Sequence, residues 1–361
     1  MIDFESIGQL YECGRLCGDP PILGAVLKQE PEDFIVEEVP AYDPCGGGEH
    51  LFLWVQKRDY TTDQLRGHIA RSLDIPSRDV GVAGNKDRRA VTRQFVSVPA
   101  RLAERVPEID TPAIKVLSSG QHTNKLRTGH LKGNRFEILL RGEIPTDDRQ
   151  SCEATLQKLR TDGFANYFGT QRFGGGDTPR LGWELLTGKR FRRSMVKEFG
   201  RSIFRLSLSA VQSAVFNEVT RQRVADGSIQ RVLPGDVLQF RDRRTHFVVG
   251  DPDAEQLRLD AKEVVTTGPI HGRKMTSPTD VTLELEQRAL SRFELPDDAF
   301  TRYPKLTVGT RRPLVRWPEE LRWQFEPCGL RLWFTLHSGT YATVLLRELV
   351  ADLQLAAPSA D

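Results

Sequence analysis

The chain has 361 residues, enough to bury a sizeable core in one large domain or two, and its 39% apolar and 28% charged residues are those of an ordinary folded protein. It contains no run of ~18 uncharged apolar residues, which excludes a membrane-spanning helix, and "MIDFESIGQL" lacks the basic start and apolar stretch of a secretory signal, so a cytoplasmic protein is expected. The net charge of +2 conceals two basic clusters, twelve Lys/Arg against five Asp/Glu from Lys86 to Arg141 and seven against one from Lys189 to Arg205, which point to a polyanion-binding face.

In chain order, "EDFIVEEVPAY" and "EHLFLWVQK" alternate apolar and polar residues and read as strands separated by the "DPCGGG" turn. Leu65, Ile69 and Leu73 then recur every fourth residue, so Thr61 or Thr62 caps a helix that ends before Pro76. "VGVAG" and "RQFVSV" are short strands, which puts Asp87 on a loop between them. "HLKGNRFEILLR" predicts another strand and "DDRQSCEATLQKLRTDGF" a helix closed by Gly163. The segment "NYFGTQRFGGGDTPR" reads as a turn-rich junction, followed by a clear helix over "LSLSAVQSAVFNEVTRQRVADG". "LPGDVLQF" and "RTHFVVGD" predict strands and "DAEQLRLDAKEVV" a short helix. Strand-like pattern returns only near Arg311, through "LRLWFTLHSGTYATVLLREL". The simplest architecture is a core domain (residues 1–165) interrupted by an inserted domain (166–310), with residues 311–361 completing the first sheet.

The candidate chemistry centres on "GVAGNKDRRAVTRQFVSV", where one acid, Asp87, stands among Lys86, Arg88 and Arg89. A phosphate-binding loop would need GxxxxGK followed by Ser or Thr, and here Asp87 follows Lys86. No GxSxG elbow is present. Five scattered cysteines without a CxxC pair, and histidines without HxH or HExxH spacing, exclude a recognisable metal centre. Taken alone, Asp87 reads more readily as a surface ion pair with Lys86 or Arg88 than as a catalytic group.

Seven segments together resemble the TruD family of tRNA pseudouridine synthases, in the family's order and over nearly the whole chain. They are "KQEPEDFIVEE", "GEHLFLWVQKRDYTT", "AGNKDRRAVTRQFVSV", "GHLKGNRFEILLR", "NYFGTQRFG", "RRPL" and "SGTYATVLLREL". The resemblance implies a mixed α+β fold: a pseudouridine-synthase-type catalytic domain with a mixed, largely antiparallel sheet, interrupted by an inserted α/β TRUD domain. It implies an isomerase that converts a uridine of tRNA, expected at position 13, to pseudouridine, without cofactor or metal. Nothing in the sequence demands more than a monomer, and neither an obligate protein partner nor a membrane is expected.

On the same resemblance Asp87 is the catalytic carboxylate, attacking C1′ or removing the 2′-proton, and Lys28 is the cation paired with it. A cation at that place favours the charged carboxylate where burial opposes it. Phe34, Phe136 and Phe334 match positions around the target base, and Asn134 matches a residue for the uracil or ribose edge. The alternatives are core packing for the phenylalanines and a turn role for Asn134 after Gly133. Arg88 and Arg89 are expected to steady the loop or meet phosphate, and Arg172, Arg192 and Arg193 to meet the tRNA backbone. His337 replaces the proline common in the family's "LPxGxxAT" and is not expected to be catalytic. The rival readings are a noncatalytic RNA-binding or RNA-folding protein on the same scaffold and a metal-dependent nuclease, the second lacking an acidic cluster.

Overall fold

A computed structural model describes residues 14–174, 177–243 and 245–356; Cys13 and the "MIDFESIGQL" start lie outside them. The chain divides into two compact units. A sheet unit holds Pro20–Arg160, Pro318–Gly339 and the chain from Leu349 onward, and a helical unit holds Thr161–Trp317, Thr340–Glu348 and the stretch ending at Asp19.

The sheet unit begins with β1 (Ile22–Leu27), β2 (Phe34–Pro40), β3 (His50–Arg58), α1 (Thr62–Ser72), β4 (Gly81–Val82), β5 (Val91–Pro99), β6 (Ile114–His122), β7 (Leu131–Arg141) and α2 (Thr146–Thr161). The helical unit follows with β8 (Phe164–Ala165), α3 (Thr178–Leu186), α4 (Arg192–Ala225), β9 (Val237–Phe240), β10 (His246–Val248), α5 (Pro252–Asp260), β11 (Val264–Ile270), α6 (Asp280–Ser291), β12 (Thr310–Pro313) and β13 (Val315–Arg316). The sheet unit resumes with β14 (Glu319–Glu326) and β15 (Gly329–His337); α7 (Ala342–Leu346) belongs to the helical unit, and β16 (Val350–Leu355) closes the sheet unit.

In the sheet unit ten strands form one mixed sheet along the path β14-β15-β7-β2-β5-β3-β6, with β4 beside β5 and β1 between β7 and β16. Most pairs are antiparallel; β2 with β5 and β1 with β16 are parallel. Alternation sends Leu51, Leu53 and Val55 of β3 and Val96 and Val98 of β5 to one face, where Leu65, Ile69 and Leu73 on the helical stripe of α1 cover them. Full burial of each such side chain is worth about 1.5–3 kcal/mol. Thr61 caps α1 by accepting from Gln64 N at 3.1 Å, while the Gln64 side chain accepts from Thr61 N at 2.8 Å. The helix stops where Asp74 turns to φ 52°, two residues before Pro76.

In the helical unit α3 and α4 pack through Leu181, Leu185, Leu208 and Val211. Gly182 permits this approach, since a Cβ there would lie 2.0 Å from Ser207 O. Two buried ion pairs, Arg223–Asp236 and Arg311–Glu286, each at 2.6 Å, tie α4 and β12 to neighbouring segments. A second sheet runs β10-β9-β11-β12.

Several elements depart from the sequence expectation. Helix α4 begins at Arg192 rather than near residue 206, with a break at Gly200 (φ 81°) that masks its periodicity. The "DAEQLRLDAKEVV" helix ends at Asp260, and its last residues start β11, a strand buried on both faces and therefore without alternation. The segment from Leu330 to Leu349 breaks after His337 into α7, with Gly339 at φ 81°. Strand β6, rich in Ser and Gly and largely exposed, is defined by its pairing with β3. Among the described residues no helix is long and apolar enough to cross a membrane, and no group of three His, Cys, Asp or Glu could hold a metal ion.

Candidate active site

The loop between β4 and β5 carries Asp87 and is anchored at several points. Lys86 N donates to Thr62 Oγ1 at 2.8 Å, in the first turn of α1. The Lys86 ammonium lies 2.7 Å from Glu38 Oε2, and both side chains are buried. Arg89 donates to Gln29 O at 2.8 Å and Ala356 O at 2.9 Å, which fastens the loop to the chain beyond β1 and β16. Arg88 is exposed and lies 3.6 Å from Asp59.

This anchoring presents the Asp87 carboxylate beside Lys28, with 3.3 Å between Nζ and Oδ2. The Asp87 side chain keeps 36% of its surface accessible while Lys28 keeps 11%, so the acid faces outward and the cation backs it. Lys28 adopts φ 61°, a left-handed conformation that a lysine rarely takes. Its ammonium also sits 4.0 Å above the centroid of Phe34, so one cation touches both the carboxylate and an aromatic face.

The strand register explains the floor. Residues opposite one another on paired strands project to the same side. Phe34 faces Ile138, Val36 faces Phe136 and Glu38 faces Asn134, while Phe136 faces Phe334 on β15. On the other side Val36 pairs with Thr92 and Thr92 with Lys57. Phe34, Phe136, Phe334, Glu38, Asn134, Thr92, Gln94 and Lys57 therefore share the face that carries the α1 core. The three rings form a ladder: Phe136 and Phe334 stack at 5.3 Å, and Phe34 meets Phe136 edge-on at 6.0 Å. Phe34 and Phe334 are 2% and 1% exposed, so both are core residues as well as pocket candidates. Gly133, beside Asn134, lets β7 and β15 close together, since a Cβ there would lie 2.2 Å from Leu336 O.

Sequence reasoning missed four polar groups on this face. Lys57 is fully buried, and its ammonium donates to Asp87 O at 2.9 Å and to Tyr60 O. Burial pushes its pKa down to about 8, with the Asp87 charge acting in the opposite direction. Glu38 accepts the Lys86 ammonium, and Thr92 and Gln94 are wholly enclosed. Thr92 Oγ1, both amide ends of Gln94 and Asn134 Oδ1 are buried without a hydrogen-bond partner among the described residues. A buried polar group left unpaired costs about 1–3 kcal/mol. The signal was present in the pattern: Lys57 is the fourth member of the series Leu51, Leu53, Val55, and Glu38 the third of Phe34, Val36.

Arg172, Arg192 and Arg193 belong to the helical unit. Arg172 donates to Ser213 Oγ at 3.2 Å and lies over Phe168, which Arg312 covers from 4.0 Å. Asn166 joins the two motifs there, donating to Pro313 O at 2.8 Å and accepting from Arg312 at 2.7 Å. Arg192 and Arg193 open α4 and are exposed. His337 is an exposed partner of Glu319 at 3.0 Å. A cavity of about 240 Å³ in the helical unit, bounded by Trp317, Lys262 and Asp260, contains none of the groups around Asp87.

The model of the family described as "tRNA pseudouridine synthase D (TruD)" matches residues 15–199 and 192–349. A tRNA pseudouridine synthase D of Thermus thermophilus is 39% identical over 340 residues, covering 93% of this chain and 91% of the relative. One from Geotalea daltonii is 35% identical, covering 93% and 98% respectively. The crystal structure of a Methanosarcina mazei protein assigned to tRNA pseudouridine synthase D superposes with a TM-score of 0.74 at 24% identity, over 95% of this chain and 97% of that one, which shows the shared fold.

Proposed function

The chain belongs to the TruD family of tRNA pseudouridine synthases, and from that premise we infer that it isomerises a uridine of tRNA to pseudouridine with Asp87 as the essential carboxylate. The supporting observation is the pairing of an accessible Asp87 carboxylate with the Lys28 ammonium, itself seated on the Phe34 ring. A uridine must leave its stack to react, which costs a few kcal/mol, and stacking on an aromatic face returns roughly 1–3 kcal/mol. Aromatic faces also tolerate the base turning between detachment from C1′ and reattachment through C5. In this reading Phe34, Phe136 and Phe334 line the base site and Asn134 Oδ1 supplies an acceptor for the uracil or ribose edge. Asp87 either attacks C1′ or takes the 2′-proton; both routes require the carboxylate, and Lys28 keeps a positive charge beside it.

The target is position 13 of tRNA, and the helical unit, residues 166–310 of the expected insertion included, is the family's RNA-clamping domain. Arg172, Arg192 and Arg193 meet the tRNA backbone there. Arg192 and Arg193 both stand exposed in the first turn of α4, where a positive charge opposes the helix dipole, and Arg192 lies 5.7 Å from the Phe204 ring of the same helix. We read the chain as a monomer acting in the cytoplasm.

The test is release of tritium from C5-labelled uridine in tRNA, together with mapping of the modified position. Wild-type protein releases the label, and Asp87→Asn, with the fold and tRNA affinity retained, does not. Equal release by both would overturn the role of Asp87, and no release by wild type would leave an RNA-binding or RNA-folding protein.

A further inference from the structure

Lys57 closes the core-facing series of β3, where Leu51, Leu53 and Val55 pack under α1. Its side chain has no accessible surface, yet its ammonium finds no carboxylate within ion-pair distance among the described residues and donates only to the carbonyl oxygens of Asp87 and Tyr60. An apolar side chain would satisfy the core at lower cost than a buried cation. The carbonyl it grips belongs to the residue whose carboxylate stays accessible beside Lys28. We propose that Lys57 is a positioning residue of the isomerisation: its ammonium clamps the Asp87 backbone from beneath and sets where the reacting carboxylate stands against the ribose. The proposal rests on the reading of Asp87 given above.

The clamp titrates. The charged groups that face it are Asp87 and Lys86 from the β4–β5 loop, Asp59 just beyond β3, and Lys28 beyond β1. Glu38 of β2 is engaged by Lys86, and Thr92 opposite on β5 is uncharged. Two acids and two cations nearly offset, and burial then dominates, bringing Lys57 down to about 8. Above that pH the neutral amine is a weaker donor, so the chemical step slows. Stability moves the other way. The folded chain releases this proton before the unfolded chain does, so the contribution of Lys57 to stability rises with pH between about 8 and the usual lysine value.

The experiment measures single-turnover tritium release from C5-labelled tRNA, with protein in excess, from about pH 6 to about pH 9.5, a range that brackets the titration. Wild type, Lys57→Gln and Lys57→Met are compared, with circular dichroism and tRNA affinity measured on each. Lys57→Gln keeps an N–H donor and loses the titrating charge. The wild-type rate is expected to fall roughly tenfold by about pH 9. Lys57→Gln is expected to be about 10- to 100-fold slower at neutral pH, as for a misplaced reacting group, to bind tRNA as tightly as wild type, and to lack the alkaline fall. Lys57→Met should be slower still. A wild-type rate in Lys57→Gln, or the same alkaline fall in both proteins, would overturn the proposal. Asp87→Asn run alongside reports separately: label release from it would overturn the reading of Asp87 whatever Lys57 does.

Discussion

Phe34 has two roles that must be separated before its contribution can be measured. It is 2% exposed and packs edge-on against Phe136, and it also supports the Lys28 ammonium that backs Asp87. Phe34→Ala would remove about 3–5 kcal/mol of core packing and report mostly on folding. Phe34→Leu keeps much of the volume and removes the aromatic face. We expect Phe34→Leu to fold and to slow single-turnover label release by about 10- to 100-fold, in line with the loss of one stacking contact. Its tRNA affinity should stay within about twofold, because phosphate contacts dominate affinity. A parallel loss of rate and affinity would make Phe34 a scaffold residue. Asp87, Phe34, Phe136 and Phe334 were singled out in the sequence because each sits inside a motif shared with the family. Lys57, Thr92 and Gln94 were not read out, because a polar residue at a core-facing position looks like a solvated one until register shows what covers it.

At the level of elements, α1 does more than cover the sheet. Its Thr62 hydroxyl accepts the Lys86 N–H at 2.8 Å, so the first turn of the helix fixes the loop that carries Asp87. Thr62→Val keeps the shape and removes the acceptor, leaving a buried N–H unpaired. The expected outcome is a loss of about 1–3 kcal/mol in denaturant unfolding, accompanied by slower label release. Unchanged stability would show that the loop is held by its other anchors. The helix itself was readable from the Thr61 cap, the four-residue apolar spacing and Pro76, all local signals. Strands β6, β11 and β16 were not, since β6 lacks alternation, β11 is buried on both faces and β16 is defined by its parallel pairing with β1, more than 300 residues away.

At the level of the whole molecule, a net charge of +2 is reached with acids that pair many arginines and leave others open. Arg190 is engaged by Glu184 and Glu198, whereas Arg192, Arg193, Lys197, Arg201 and Arg205 are exposed and have no acidic partner among the described residues. If this surface meets the tRNA backbone, replacing Arg192 and Arg193 together by Ala should weaken binding and make the dependence of log K on log salt shallower by about 1.5. An unchanged slope in a filter-binding or anisotropy titration would place the contacts elsewhere. By itself the sequence determined the local elements with strong periodicity and the family, and it singled out Asp87 as one acid among Lys86, Arg88 and Arg89, because these are written in short contiguous runs. Only the tertiary structure decided that Asp87 is held through its backbone by a buried Lys57 and that Glu38, Thr92, Gln94 and Asn134 line one face beneath it. Those relations arise from strand order and register, which bring residues 38, 57, 94 and 134 side by side through pairings that no local pattern encodes.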